Sequence, residues 1–276
     1  MTAHRRADIA GARRIVVKVG SSSISGTNAH NIKPLVEALA AAHARGVEVV
    51  LVSSGAIATG MPYLNLEARP SDLATQQAAA AVGQNVLIYR YQEALRPFAI
   101  VAGQVLLTAG DLENATHRSN ARRAMERLLG LRILTIVNEN DTVATHEIRF
   151  GDNDRLAALV AQLIGADALV LLSDIEALYT RPPDEPGATP IDTVAFDDDM
   201  TGFQFGSVVV NSVGTGGAAT KASAARLAAA SGVGVLVTSI DLVTPALNGE
   251  NIGTWFTPDP DAIPALTTAS VDTSHR

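Results

Sequence analysis

Asn138-Glu139-Asn140-Asp141-Thr142-Val143, followed after six residues by Phe150-Gly151-Asp152-Asn153-Asp154-Arg155, is the stretch on which the fold turns. An apolar run precedes it (Ile133, Leu134, Ile136, Val137), and apolar residues at helical spacing follow it (Leu156, Ala157, Leu159, Val160, Leu163). The local reading is a strand, a loop crowded with carboxylates and amides, and a helix. In an open α/β sheet, ligands sit just beyond the carboxyl ends of the strands, where this loop would lie. A solvated acidic loop with Asp152, Asn153 or Asp154 as helix N-cap would also account for the composition, so the rest of the chain has to decide.

Working outward, other apolar runs end in small polar residues. Ile15-Val16-Val17-Lys18-Val19 is rich in β-branched residues and closes in Gly20-Ser21-Ser22-Ser23. A period of two puts Ile15, Val17 and Val19 on one face and Val16 and Lys18 on the other. An ammonium in a central strand is costly unless it meets an anion. No Gly-Lys-Ser/Thr follows, so this is not a Walker-type loop. Pro34–Arg45 has helical spacing with Gly46 as its stop, and Val47–Val52 is a second strand ending in Ser53-Ser54-Gly55-Ala56. Residues 71–95 read as one or two helices. Gln76, Gln77 and Gln84 flank an alanine-rich face there that should pack on another helix or a second subunit. Phe98–Leu107 is strand-like, and Asn120–Leu129 is helical with Gly130 as its stop.

Downstream, the helix Arg155–Ile164 stops at Gly165. Ala168–Leu172 then has the continuous apolar character of a parallel strand buried on both faces, and it ends in Ser173-Asp174. Residues 181–202 hold four of the twelve prolines and Asp197-Asp198-Asp199, which suits a surface excursion. Val208–Val210 leads to Gly214-Thr215-Gly216-Gly217-Ala218-Ala219-Thr220-Lys221 at the start of an alanine-rich helix, whose N-terminus favours anions. An inner strand, Val233–Val237, follows Gly232, and residues 252–256 suit an edge strand.

The chain has 276 residues, 47% hydrophobic and 18% charged, with a formal net charge of -7 and no cysteine. That balance supplies a core but no basic field for nucleic acid or membrane surfaces. It also excludes disulfides, thiolate metal sites and cysteine nucleophiles. No apolar run reaches the ~18 to 20 residues of a membrane span, and a cytoplasmic location is the default expectation. Strands alternating with helices predict an α/β fold: a three-layer αβα sandwich on a mostly parallel central sheet. The strand-end clusters would then converge on one edge. Two lysines, Lys18 and Lys221, with a Gly-rich loop and a carboxylate cluster suit phosphoryl transfer from a nucleotide, which needs positioning and charge neutralisation. His117 and His146 read as surface or loop residues.

The quoted motifs, taken in order from Val16-Val17-Lys18-Val19-Gly20-Ser21 to Gly214-Thr215-Gly216-Gly217 and Lys221, resemble those of the amino acid kinases. The Asn-Glu-Asn-Asp and Gly-Asp-Asn-Asp runs resemble the glutamate 5-kinase branch in particular. The resemblance covers roughly Arg13 to Phe256. It implies an N-terminal extension at residues 1–12, a kinase domain at 13–256 and a poorly ordered tail at 257–276. It further implies ATP and Mg²⁺ as cofactors, and L-glutamate as the substrate phosphorylated on its γ-carboxylate in the first step of proline biosynthesis. Ser54, Asp141 and Asn153 would bind glutamate. Lys18, Ser173, Asp174, Thr215, Gly216, Gly217, Ala218, Ala219, Thr220 and Lys221 would contact the nucleotide. Lys18 and Lys221 would stabilise the transferring phosphoryl group, with Asp154 orienting them. A homodimer or homotetramer, feedback inhibition by proline, and coupling to glutamyl phosphate reductase are also implied. Two departures stand out: the PUA domain common after the last strand is replaced by about twenty unpatterned residues, and Ala218-Ala219 stand where a methionine and a polar residue are usual.

Overall fold

Lys18 sits near the end of β1 (Arg14–Val19), and β1 is central, not peripheral. The computed structural model describes residues 2–143, 153–203 and 217–262. Among these, β1 is joined by β2 (Glu48–Val52), β3 (Ala102–Leu107), β4 (Leu134–Glu139), β5 (Ala168–Ser173), β6 (Thr193–Val194), β7 (Gly234–Ser239) and β8 (Thr254–Phe256). They form one sheet in the order β3-β4-β2-β1-β5-β7-β8-β6. Every pairing from β3 to β7 is parallel, β8 runs antiparallel to β7, and β6 is parallel to β8.

The helices are α1 (Ser21–Ile24), α2 (Ile32–Ala44), α3 (Ala56–Gly60), α4 (Leu73–Leu95), α5 (Ala109–Glu113), α6 (Ala115–Gly130), α7 (Asn153–Ile164), α8 (Ala218–Ala229) and α9 (Val243–Leu247). They cover both faces, giving the expected three layers. Val16, Val50 and Leu169 pack with α6, α7 and α8, whereas Ile15, Val17 and Val19 pack with α2, α4 and α9. The alternation within β1 therefore puts Lys18 on the same side as α7 and α8. From β1 the chain moves to β2 on one side, and β5 lies on the other. Loops leaving β1 and β5 diverge at this reversal of strand order, which opens a crevice at their carboxyl ends.

The alanine-rich face of α4 packs on another helix, as one of the two expected alternatives had it. Ala79 and Ala80 are buried against Ala56 and Ile57 of α3. The backbones nearly touch: a Cβ on Gly83 would stand 1.8 Å from the Ala56 carbonyl oxygen. Because α3 begins directly after Ser54-Gly55, α4 braces the loop that follows β2.

Several boundaries differ from the sequence reading, for local reasons. Helix α6 starts at Ala115, not Asn120, because Asn114 caps it by accepting the Thr116 and His117 N–H groups at 3.0 Å each. Its polar first turn carries no apolar period. The helix also runs through Gly130, and Arg132 takes the left-handed conformation (φ 59°). Arg132 can do so because its guanidinium donates to the His43, Gly46 and Val47 carbonyls at the end of α2. The strand expected from Phe98 begins only at Ala102, after a 3-10 turn at Arg96–Phe98. β8 is one place in from the edge, since the Pro-rich excursion contributes β6 outside it. A two-residue strand leaves no periodicity to read.

Both ends of the described chain pack on the sheet. Ile9 is fully buried, and Arg6 donates to Asp192 Oδ1 at 2.9 Å. Thr257 N donates to Val194 O at 3.0 Å and Asp259 N to Ala229 O at 2.9 Å. Residues 263–276, the remainder of the stretch expected to be poorly ordered, lie outside the described residues. Among the described residues, no helix is long and apolar enough to cross a membrane.

Candidate active site

The carboxyl ends of β1, β2, β4 and β5 meet the amino ends of α7 and α8, and two groups of polar side chains form there. The first is a charged triad. Asp154, in the first turn of α7, is 2% exposed. Its Oδ1 lies 2.5 Å from Lys18 Nζ, and its Oδ2 accepts from Lys221 Nζ at 3.2 Å. Lys18 and Lys221 are themselves buried. Burial alone would push the Asp154 carboxyl up, but the Lys18 and Lys221 charges and their hydrogen bonds outweigh it and hold the group down to about 2. Among the described residues, this contact sets two ammonium groups against one carboxylate in a place largely shielded from water. Buried ammonium groups are costly unless anions meet them.

Helix α8 adds to the same field. Thr220 Oγ1 accepts the Gly217 N–H at 3.0 Å and lies 3.4 Å from Asp154 Oδ2. Ala218 and Ala219 occupy the first positions of the helix, so its positive end faces the triad. Ser173 and Asp174 stand where β5 ends, with the Ser173 hydroxyl donating to Asp174 Oδ1 at 3.0 Å. Thr215 and Gly216 lie outside the described residues, as do Gly151, Asp152 and His146. His117 is exposed and bonds Asp111 at 3.0 Å, past the carboxyl end of β3.

The second group is a buried amide cluster. Asn153, beside Asp154 on α7, directs Nδ2 at Ser53 O (2.7 Å), Ser54 Oγ (2.8 Å) and Asn138 Oδ1 (3.0 Å). Its Oδ1 is buried and has no hydrogen-bond partner among the described residues. Ser54 and Asn153, read as one pocket from sequence, are thus in direct contact. Asp141, two residues past the end of β4, is 8% exposed. Burial and then the Glu139 charge raise its carboxyl to about 7, against an opposing pull from Arg69. Asp141 and the Asn153 amide oxygen are hydrogen-bond acceptors of the kind that would suit a cationic donor. Glu139 and Asn138 were legible only as members of the opening run, with no role of their own. Gln84, whose Nε2 donates to Glu139 O at 3.2 Å, showed only as a polar residue on an alanine-rich helix.

The sequence profile of the amino acid kinase family matches residues 13–239. The chain belongs to this family. It is 72% identical over 253 residues to a glutamate 5-kinase of Clavibacter sepedonicus, an alignment that covers 92% of this chain and 97% of that protein. It is 70% identical over 258 residues to a glutamate 5-kinase of Leifsonia xyli subsp. xyli, covering 94% and 96% respectively. Among solved structures, a carbamate kinase from Giardia lamblia bound to AMP-PNP superposes with a TM-score of 0.65 at 17% identity. That superposition covers 91% of this chain and 100% of the Giardia chain, and it establishes the amino acid kinase fold alone. The family's sheet thus accounts for the position of the triad: Lys18 reaches it from the central strand, Asp154 and Lys221 from helices on one face.

Proposed function

We propose that this chain transfers the γ-phosphoryl group of ATP to the γ-carboxylate of L-glutamate, giving L-glutamyl 5-phosphate and ADP, the first step of proline biosynthesis. The observation that carries the reading is the buried Lys18–Asp154–Lys221 triad, two ammonium groups on one carboxylate, beside the Asn153 amide pocket. The names of the relatives supply the substrate. A γ-carboxylate oxygen attacks the γ-phosphorus, the bond from that phosphorus to the ADP oxygen breaks, and the electron pair leaves with ADP. The nucleophile is ionised at neutral pH, so no general base is needed. Lys18 and Lys221 meet the phosphate oxygens with preorganised charge, and Asp154 holds both ammonium groups in place. Ser173, Asp174 and the segment from Thr215 to Thr220 are assigned to the nucleotide.

Among the described residues, no group of three or more His, Asp or Glu side chains is placed to hold a metal ion. This donor set fits Mg²⁺ carried mainly by the phosphate oxygens, where it would neutralise their charge. The same reading extends to a homo-oligomer and to transfer of the acyl phosphate, a reactive product, to glutamyl phosphate reductase.

The α-ammonium group of glutamate is assigned to Asp141 and Asn153. Only ionised Asp141 can pair with it, so the pKa of about 7 sets a direction. Binding a cation favours the ionised form, and affinity rises as the pH rises through that value. Glutamate KM is expected to fall about tenfold between pH 6 and pH 8, the change in ionised fraction, and Asp141→Asn to flatten the profile. A wild-type KM that does not vary over this range contradicts the assignment. The function itself is tested by ADP release with Mg-ATP and L-glutamate, N-acetylglutamate or aspartate. Turnover is expected with glutamate; preference for either alternative acceptor overturns the reading.

A further inference from the structure

The Asn153 amide stands at the end of a chain of hydrogen bonds that begins outside the pocket. Gln84 lies on α4 and is buried. Its Nε2 faces the Glu139 carbonyl at 3.2 Å, and a backbone carbonyl can only accept. Gln84 Oε1 is therefore turned the other way, where it accepts from Asn138 Nδ2 at 3.3 Å and from Gln104 Nε2 of β3 at 3.0 Å. Asn138 Oδ1 in turn accepts the Glu139 N–H at 2.9 Å, and a backbone N–H can only donate. That leaves Asn138 Oδ1 to receive Asn153 Nδ2, which is also fixed by the Ser53 carbonyl. Gln84, Asn138 and Asn153 are thus each held in one of two flips by a backbone group that admits no alternative, and Gln104 is oriented by Gln84. The end of the chain is Asn153 Oδ1, which has no hydrogen-bond partner among the described residues.

We propose that Gln84, seated by Gln104, is a positioning residue for the amino acid substrate. It touches neither substrate nor nucleotide in this scheme. It seats Asn138, whose Oδ1 shares the Asn153 N–H₂ with Ser53 O and Ser54 Oγ, and so steadies the Asn153 oxygen that would meet the substrate's α-ammonium group. Flipping Asn153 would set a donor against a cation and forfeit that contact. The close Gly83–Ala56 approach gives α4 a second hold on the same pocket, through the Ser54 loop. The proposal rests on the glutamate-kinase reading above and adds a determinant of substrate affinity to it.

The test compares wild type, Gln84→Leu and Gln104→Leu, with glutarate, which lacks the ammonium group, as competitive inhibitor. For Gln84→Leu, glutamate KM is expected to rise ~10-fold or more, the scale of losing a buried hydrogen bond and stranding its partners. ATP KM and the glutarate inhibition constant should stay within about twofold, since neither depends on the Asn153 oxygen. Gln104→Leu, on the edge strand, should shift glutamate KM in the same direction by less, and it serves if the first variant does not fold. Unchanged glutamate KM in the folded variants, or glutamate and glutarate weakened alike, overturns the positioning role. Absence of glutamate turnover by the wild type is a separate outcome: it removes the functional reading, and the relay's role with it.

Discussion

With Lys221 changed to alanine, kcat at saturating glutamate and ATP is expected to fall by at least ~100-fold, the loss that follows removal of one preorganised charge stabiliser. The thermal midpoint should move little. The reason is the charge count of the triad. In its absence Asp154 still has Lys18 Nζ at 2.5 Å, so the buried carboxylate remains paired and the folded protein keeps a neutral couple. What disappears is the second ammonium group, which matters chiefly when phosphate oxygens carry their greatest negative charge near it. The loss should therefore appear in kcat more than in glutamate KM. Steady-state kinetics beside a melting curve check both halves; near-normal kcat removes Lys221 from the chemistry.

Asp154→Ala is expected to do the opposite kind of damage, lowering the unfolding free energy by about 3–5 kcal/mol, the scale of leaving buried charge uncompensated. Lys18 and Lys221, both drawn to Asp154 in the native protein, would face each other across the gap. Their mutual repulsion in a buried site, with no carboxylate between them, is the source of the loss. Adding Lys221→Met should then recover part of the lost stability, a non-additive result that a double-mutant cycle reads directly. Purely additive losses would show that the three side chains are not coupled. The acid limb follows from the same contact. Because the folded pKa of Asp154 is held at about 2, below its ordinary value, its contribution is present above about pH 4. That contribution is lost as the pH falls through about 2, and the variant should lack that share of the acid unfolding.

The parts of this site that were legible in the sequence are those with a local signature. Lys18 stood out because alternation in Ile15–Val19 placed an ammonium inside an apolar strand, and β1 is indeed central. Ser54, Asn153 and Lys221 lay in small polar clusters at strand and helix ends, and the family resemblance supplied the roles of Ser54 and Asn153. Gln84 was not legible, because nothing in an alanine-rich helix tells which glutamine turns inward; its role depends on the backbone of Glu139, fifty-five residues away. Asp141 was recognisable as an acid in a loop, but its raised pKa needs burial and a second carboxylate, both properties of the folded state. The start of α6 at Asn114 and the edge strand Thr193–Val194 escaped for a simpler reason: a polar first turn and a two-residue strand are too short to show a period.

Hydroxylamine trapping tests the central claim most directly, because it reports the acyl phosphate itself. Hydroxylamine nitrogen attacks the activated carbonyl carbon and displaces phosphate, so each molecule of product captured leaves one molecule of γ-glutamyl hydroxamate. With ATP, Mg²⁺, L-glutamate and hydroxylamine, hydroxamate is expected to accumulate in step with ADP. ADP released without hydroxamate, or hydroxamate formed without ATP, would contradict the proposed transfer to the γ-carboxylate.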